Sequence, residues 1–176
     1  MGVNVKVVSK SSLWGVDFLT FVTLGTQGQD FNRLIKYVEL GIQKGLIKDK
    51  VIVQAGQTEY KSDLVEIRSY IPKEEQDKLY EECDLLITHG GVGSIIGGLK
   101  HSKKIIAVAR LKELGEHVND HQLEILDTFI GSGYIMGADS EDSFIGSLEK
   151  IKKFKPKKYK SNTNNLIKML DSFINK

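Results

Sequence analysis

From Phe18 onward, apolar residues follow two rhythms that take turns along the chain. Short unbroken runs end in glycine or polar residues, and longer stretches repeat their apolar positions every three or four residues. The runs predict buried strands, and the stretches predict amphipathic helices. Residues 18–24 (FLTFVTL) read as the first strand, ended by Gly25-Thr26-Gln27-Gly28. A helix follows, with Phe31, Leu34, Ile35, Val38 and Ile42 at helical spacing. Residues 51–54 form the second strand, closed by Ala55-Gly56-Gln57, and residues 64–68 a short third one. Pro72 marks the start of a helix that runs to about Glu82, because its missing N–H is not needed there.

Residues 84–88 (DLLIT) form the next strand, which runs into His89-Gly90-Gly91-Val92-Gly93-Ser94 and a helix ending near Lys100. Residues 105–109 are a further strand, and 110–119 a polar, glycine-containing loop. The next helix carries Gln122, Ile125, Leu126 and Phe129, and residues 133–136 read as the last strand. Two helices finish the chain, one from about Ser140, the other bearing Leu166, Ile167, Leu170, Phe173 and Ile174. Residues 1–17 differ: Val3, Val5 and Val7 alternate with polar residues as in a short strand, followed by a loop. This leader reads as an extra edge strand or a docking segment.

Strands alternating with amphipathic helices predict an α/β fold. It is a Rossmann-like, mainly parallel sheet with helices on both faces, in one domain over residues 18–176. Ligands of such folds bind beyond the carboxyl ends of the strands. The loops 25–28, 89–94 and 110–122 all follow strands, so they should share one rim.

Composition narrows the function. The 176 residues are 40% hydrophobic and 27% charged, enough for one packed domain. Twenty-five basic and 23 acidic residues nearly cancel, so charge implies no nucleic-acid partner. The single cysteine, Cys83, reads as a small buried residue in a reducing compartment. No apolar run approaches the ~20 residues of a membrane span, and the N-terminus lacks the apolar core of a signal peptide.

The segment 84–99 (DLLITHGGVGSIIGGL) carries the strongest chemical signal. A helix N-terminus offers unpaired N–H groups and partial positive charge to a phosphate. Gly90, Gly91 and Gly93 let the backbone approach a ligand, and His89 and Ser94 add donors. The competing reading is a tight turn whose glycines serve packing. The loop is not a Walker A motif, and Gly91, Gly93 and Gly97 do not make the dinucleotide GxGxxG. In the loop 110–122, Glu116, Asp120 and Gln122 can accept from sugar hydroxyls, while His117, His121 and Gln122 can donate. A solvated loop and helix cap explains the same residues, and a metal site is the weakest alternative. No nucleophile elbow is present, which argues against covalent catalysis. The basic run 150–160, with Phe154 and Tyr159 interleaved, reads as a solvated linker or as a surface attracted to anionic lipid.

Taken together, FVTLGTQ (21–27), VIVQAGQT (51–58), CDLLITHGGVGS (83–94) and GEHVNDHQLEI (115–125) resemble the glycosyltransferase family 28 C-terminal-domain family. The likeness covers about residues 18–150 and is strongest to its short single-domain members. These are subunits of bacterial exopolysaccharide β-1,4-galactosyltransferases and, more distantly, the cytosolic subunit of the dolichol-linked N-acetylglucosaminyl transferase. The resemblance implies the C-terminal, donor-binding half of a GT-B glycosyltransferase. It also implies a UDP-sugar as donor substrate with no cofactor or required metal, and inverting transfer to a lipid-linked acceptor. A membrane-anchored partner subunit would hold that acceptor, keeping this chain cytoplasmic and peripheral at the inner face of the membrane.

The same resemblance assigns the diphosphate to His89, Gly90, Gly91, Gly93 and Ser94, joined by Gly25 and Thr26. Tyr70 and Ile71 fall where relatives read uracil, largely by backbone, and Asp120 and Gln122 where relatives contact sugar hydroxyls. Many relatives carry a ribose-binding glutamate three residues after Ser94, where this chain has Gly97. That leaves the ribose to another group such as Glu116, or leaves nucleotide binding weaker. The general base is either in the partner or is Glu116 or His117 here. UDP-galactose is the expected donor. UDP-N-acetylglucosamine, a non-catalytic accessory subunit and a dinucleotide-binding module are the alternatives.

Overall fold

In the computed structural model, residues 18–119 and 121–159 are described. The leader, Asp120, and the helix expected around residues 166–174 lie outside them. Among the described residues, six strands form one sheet: β1 (Leu19–Thr23), β2 (Lys50–Gln54), β3 (Glu66–Arg68), β4 (Leu85–His89), β5 (Lys104–Val108) and β6 (Met136–Ala138). Their order is β3-β2-β1-β4-β5-β6, and every pairing is parallel. Five α-helices connect or follow them: α1 (Asn32–Gln43), α2 (Lys73–Glu82), α3 (Val92–Lys100), α4 (His121–Gly131) and α5 (Glu141–Ile151).

The strands read as continuous apolar runs because both faces are covered. Successive residues of each run point to opposite faces. Val22, Val53, Ile87, Ile106 and Val108 join Leu34, Ile35 and Val38 of α1 and Phe144 and Leu148 of α5 in one core cluster. Phe21, Ile52, Leu86, Ile105 and Ala107 join Leu79 of α2, Ile95 and Leu99 of α3, and Leu126 and Phe129 of α4 in the other. The expected three-layer α/β architecture is thus present. Cys83 is fully buried in the second cluster, and desolvation pushes its thiol up to about 11, so it stays protonated.

Boundaries moved where backbone capping intervened. The last strand was expected over residues 133–136 but begins at Met136. Gly133, at φ +74°, ends α4 instead: its N–H reaches the Ile130 carbonyl, and the Tyr134 N–H reaches Phe129. This is the Schellman pattern that glycine favours. His89, expected in a loop, is the last residue of β4 and pairs with Val108. The basic run is held down by its aromatic residues. Phe154 packs on the first cluster, Tyr159 meets the Tyr134 ring edge-on at 5.9 Å, and the Lys157 N–H reaches the Gly133 carbonyl. Lys104, the first residue of β5, bonds the Lys152 carbonyl, so this strap crosses the end of the sheet where strands begin.

At the other end, two arginines bind the loops to one another. Arg33 on α1 holds Glu116 through Nε and Nη2 at 2.9 and 2.7 Å, and its guanidinium also reaches the Ala109 carbonyl at 2.7 Å. Arg110, fully buried just after β5, donates to the carbonyls of Leu24, Gln29 and Glu116. The Phe31 ring lies 5.3 Å from one guanidinium and 4.8 Å from the other. Burial opposes the charge on Arg33, but hydrogen bonds to Glu116 and Tyr37 outweigh it and raise its pKa. For Arg110 burial wins and the pKa falls, with Glu116 and Asp30 opposing.

Removing one partner of a buried pair strands the other charge. Glu116→Ala should therefore destabilise the domain by about 3 kcal/mol. Urea unfolding followed by circular dichroism checks this, and a loss under about 0.5 kcal/mol would place the pair among inconsequential surface bridges.

Candidate nucleotide-binding site

The strand order reverses direction between β1 and β4. In open α/β sheets a crevice forms at that switch, beyond the carboxyl ends of the strands. A cleft of about 300 Å³ lies there. Its floor is Thr23, at the end of β1, and His89, at the end of β4. One wall is the loop after β1, with Gly25, Thr26 and Gln27. The opposite wall comes from Gln54, Tyr70, Ile71, Lys73 and Gln76, and Gly91, Gly93 and Ser94 of the α3 N-terminus complete it.

The helix end has the form a phosphate needs. Gly91 caps α3 in an extended conformation, and no side chain bonds the first-turn N–H groups. A Cβ on Gly93 would meet nothing within 4 Å, so this position is open to the cleft. A Cβ on Gly91 would come within 2.2 Å of His89 Nε2, and one on Gly25, already at φ +78°, within 2.6 Å of it. These two glycines therefore make room for the imidazole that forms the floor. Gly90 has yet another task. It does not line the cleft, and a Cβ there would press on Gln122 at 2.9 Å, so it serves packing, not the phosphate directly.

His89 is 8% exposed, and desolvation lowers its pKa to about 4. Nδ1 lies 3.3 Å from the Thr23 carbonyl, which can only accept. This carbonyl favours the tautomer with the proton on Nδ1, which leaves the Nε2 lone pair between Gly25 and Gly91, while the Thr88 hydroxyl, 3.4 Å from the same Nδ1, could serve the other tautomer as donor.

The loop after β5 corrects several sequence expectations. Both carboxylate oxygens of Glu116 are committed, Oε1 to Arg33 and Oε2 to Arg33 and the Leu111 N–H. Glu116 is thus a structural clamp whose carboxylate already accepts three hydrogen bonds, which disfavours it for a ribose or for base catalysis. His117 Nδ1 accepts from the Asn119 N–H at 3.2 Å, so neutral His117 carries its proton on Nε2 and presents a donor. That tautomer suits an anion or hydroxyl oxygen and not general-base work. Gln122 is buried, and its Oε1 accepts from the Arg110 N–H at 3.1 Å. It holds the loop instead of offering that oxygen to a sugar. Asp120 lies outside the described residues. Among them, no three His, Cys, Asp or Glu side chains gather as a metal site.

The departure at Gly97 also has a structural cause. A Cβ there would lie 2.8 Å from the Tyr80 ring, which is buried and packs edge-on against Phe21. Tyr80 therefore occupies the space a glutamate side chain would need to start from. Tyr70 is 70% exposed at the cleft mouth and Ile71 is buried behind it. Sequence reading missed Gln54, Lys73 and Gln76, which come from a strand end and a helix that carry no glycine motif.

Comparison with known proteins bears on the fold. The solution structure of ALG13 superposes with a TM-score of 0.58 at 21% identity, covering 88% of this chain and 94% of that one. The glycosyltransferase of kitacinnamycin gives 0.56 at 19%, covering 78% of this chain but 35% of its own. MurG from Acinetobacter baumannii gives 0.54 at 14%, with 78% and 42% covered. The chain therefore spans about a third of the kitacinnamycin enzyme and nearly all of ALG13. No curated protein sequence matches significantly. The fold is thus the Rossmann-like domain that forms the C-terminal half of GT-B glycosyltransferases. The family model for the glycosyltransferase family 28 C-terminal domain matches residues 19–175, and the chain belongs to that family.

Two outcomes follow from the site. Gly93→Val projects into open cleft and should leave the fold intact while weakening UDP at least tenfold, about 1.4 kcal/mol, by calorimetry. Unchanged affinity in the folded variant would remove the phosphate from α3. Second, unfolded His89 takes a proton near 6.5 but folded His89 only near 4. Between these values the unfolded chain binds more protons, so acidification destabilises the fold. Wild type should lose roughly 2.4 kcal/mol more than His89→Gln between pH 7 and about pH 4.5 in urea titrations. Equal losses would mean that His89 titrates normally.

Proposed function

We propose that this domain binds a UDP-sugar in the switch-point cleft and serves as the donor half of a two-component inverting glycosyltransferase. The observation that carries the reading is the uncapped α3 N-terminus facing the cleft in a family 28 domain. The diphosphate would rest on the N–H groups of residues 92–94, with the Ser94 and Thr26 hydroxyls beside it. These groups would stabilise charge as the nucleoside diphosphate leaves the sugar carbon, which is where such donors accelerate transfer. The base would lie against Tyr70 and Ile71.

The attacking hydroxyl of the acceptor must lose its proton to a general base. Glu116 is locked by Arg33, His117 presents a donor, and His89 at about 4 is too weak a base near neutrality. We therefore assign the base to a second subunit that also holds the acceptor. No described helix is long and apolar enough to cross a membrane, so a lipid-linked acceptor would be reached through a membrane-anchored partner. The basic strap lies at the end of the sheet away from the cleft, which favours docking through the partner over docking through those lysines. Galactose transfer in exopolysaccharide assembly is the favoured activity, with N-acetylglucosamine transfer as the alternative. The lack of a free base in the described part of the cleft also supports a second reading, an accessory subunit that only enhances its partner.

The purified full chain should transfer no labelled sugar from UDP-galactose to a lipid-linked acceptor, and co-expression with the membrane-anchored half should restore transfer in the membrane fraction. Acceptor-dependent turnover by the chain alone would refute the two-component reading. Restored transfer from UDP-N-acetylglucosamine alone would move the donor to that sugar. Undiminished transfer by partner with no UDP binding here would leave the accessory role.

A further inference from the structure

The cleft wall between β2 and α2 carries two glutamines that the donor reading leaves without a task. Gln54 ends β2 and is 4% exposed, directly after the buried Val51, Ile52 and Val53. Its Oε1 accepts from Gln76 Nε2 at 2.9 Å. Gln76 stands half-buried on α2, and both residues line the cleft beside Tyr70 and Ile71. Each carboxamide has one acceptor oxygen and one NH2 group. Their mutual bond uses the oxygen of Gln54 and an N–H of Gln76. The NH2 of Gln54 and the oxygen of Gln76 then have no partner among the described residues. Neither group is sealed from solvent, so both open to the cleft, and a strand end that served only the core would carry an apolar residue here.

Turning both carboxamides over would exchange the free donor and the free acceptor. Two features favour the arrangement just described. Gln76 lies in the second turn of α2, near its positive N-terminal end. Lys73, three residues earlier on the same helix face, also lines the cleft, although it pairs with Asp77. Both draw the Gln76 oxygen outward.

A donor and an acceptor side by side match a –CO–NH– edge. A buried isoleucine and an exposed tyrosine beside them offer apolar surface to a flat ring. We propose that the Gln54–Gln76 amide couple reads the imide edge of uracil, Gln54 donating to a ring carbonyl and Gln76 accepting the ring N–H. This rests on the donor-site reading above and adds side-chain discrimination to it. Cytosine presents a lone pair where uracil presents N–H, and an amino group in place of one carbonyl. At least one of the two contacts then becomes repulsive.

The test is calorimetry on the purified full chain, wild type against Gln54→Met and Gln76→Met, with UDP, CDP and inorganic pyrophosphate. Near-UV circular dichroism reports folding, and Gln76, on a helix surface, can be replaced without opening the core. Wild type should prefer UDP to CDP on the order of tenfold. Both variants should bring that ratio towards one and leave pyrophosphate affinity unchanged. A wild-type ratio retained in the folded Gln76→Met protein overturns the amide couple while leaving the donor site standing. Parallel loss of all three ligands also overturns it, since the glutamines would then be supporting the phosphate site. Failure of wild type to bind UDP at all overturns the donor-site reading and this inference with it.

Discussion

The cleft depends on one buried interaction: two guanidinium groups, Arg33 and Arg110, gathered around Phe31 and Glu116. Loops at the end of a parallel sheet carry backbone groups that the ladder no longer satisfies. Here arginine satisfies many of them. Leu24, Gln29, Ala109 and Glu116 all give their carbonyls to one of the two side chains. The loops after β1 and β5 are thereby fastened to each other and to α1. Two cations so close would repel, and the bidentate Glu116 carboxylate and the ring of carbonyl dipoles offset that cost.

This clamp explains why the residues that look most reactive in sequence are not equally available. The GEHVNDHQ segment is rich in acids, amides and imidazoles, yet its first acid holds Arg33 and its glutamine holds the Arg110 N–H. What it delivers to the cleft rim is position. The open chemistry lies instead on the α3 N-terminus and on the β2–α2 wall, where donors remain unpaired. On the proposed reading, a donor half built this way would grip a leaving group well and supply little acid–base chemistry, leaving the latter to a second component.

Much of the fold was legible because parallel strands buried on both faces leave long apolar runs, and amphipathic helices leave a separate period. The β1, β2, β4 and β5 runs and the helices between them are visible in this way. The misplaced element, β6, turned on Gly133, whose role as a helix cap depends on its left-handed backbone and not on its neighbours' hydropathy. The GGVGS turn was legible as a strand-to-helix junction with an open helix end. Its glycines proved to have separate duties, towards His89, Gln122 and open cleft.

By itself, then, the sequence determined the α/β class, the rim on which the loops gather and the strand-turn-helix that faces the cleft. These follow from local periodicity and from the conformational freedom of glycine, which neighbouring residues express directly. Tertiary structure alone decided which polar side chains are free. Glu116 meets Arg33 across 83 positions, Gln54 meets Gln76 across 22, and Tyr80 fills the space above Gly97 from the neighbouring helix. A polar residue looks the same in sequence whether its hydrogen bonds are spent or open, because that depends on partners brought near only when the sheet assembles.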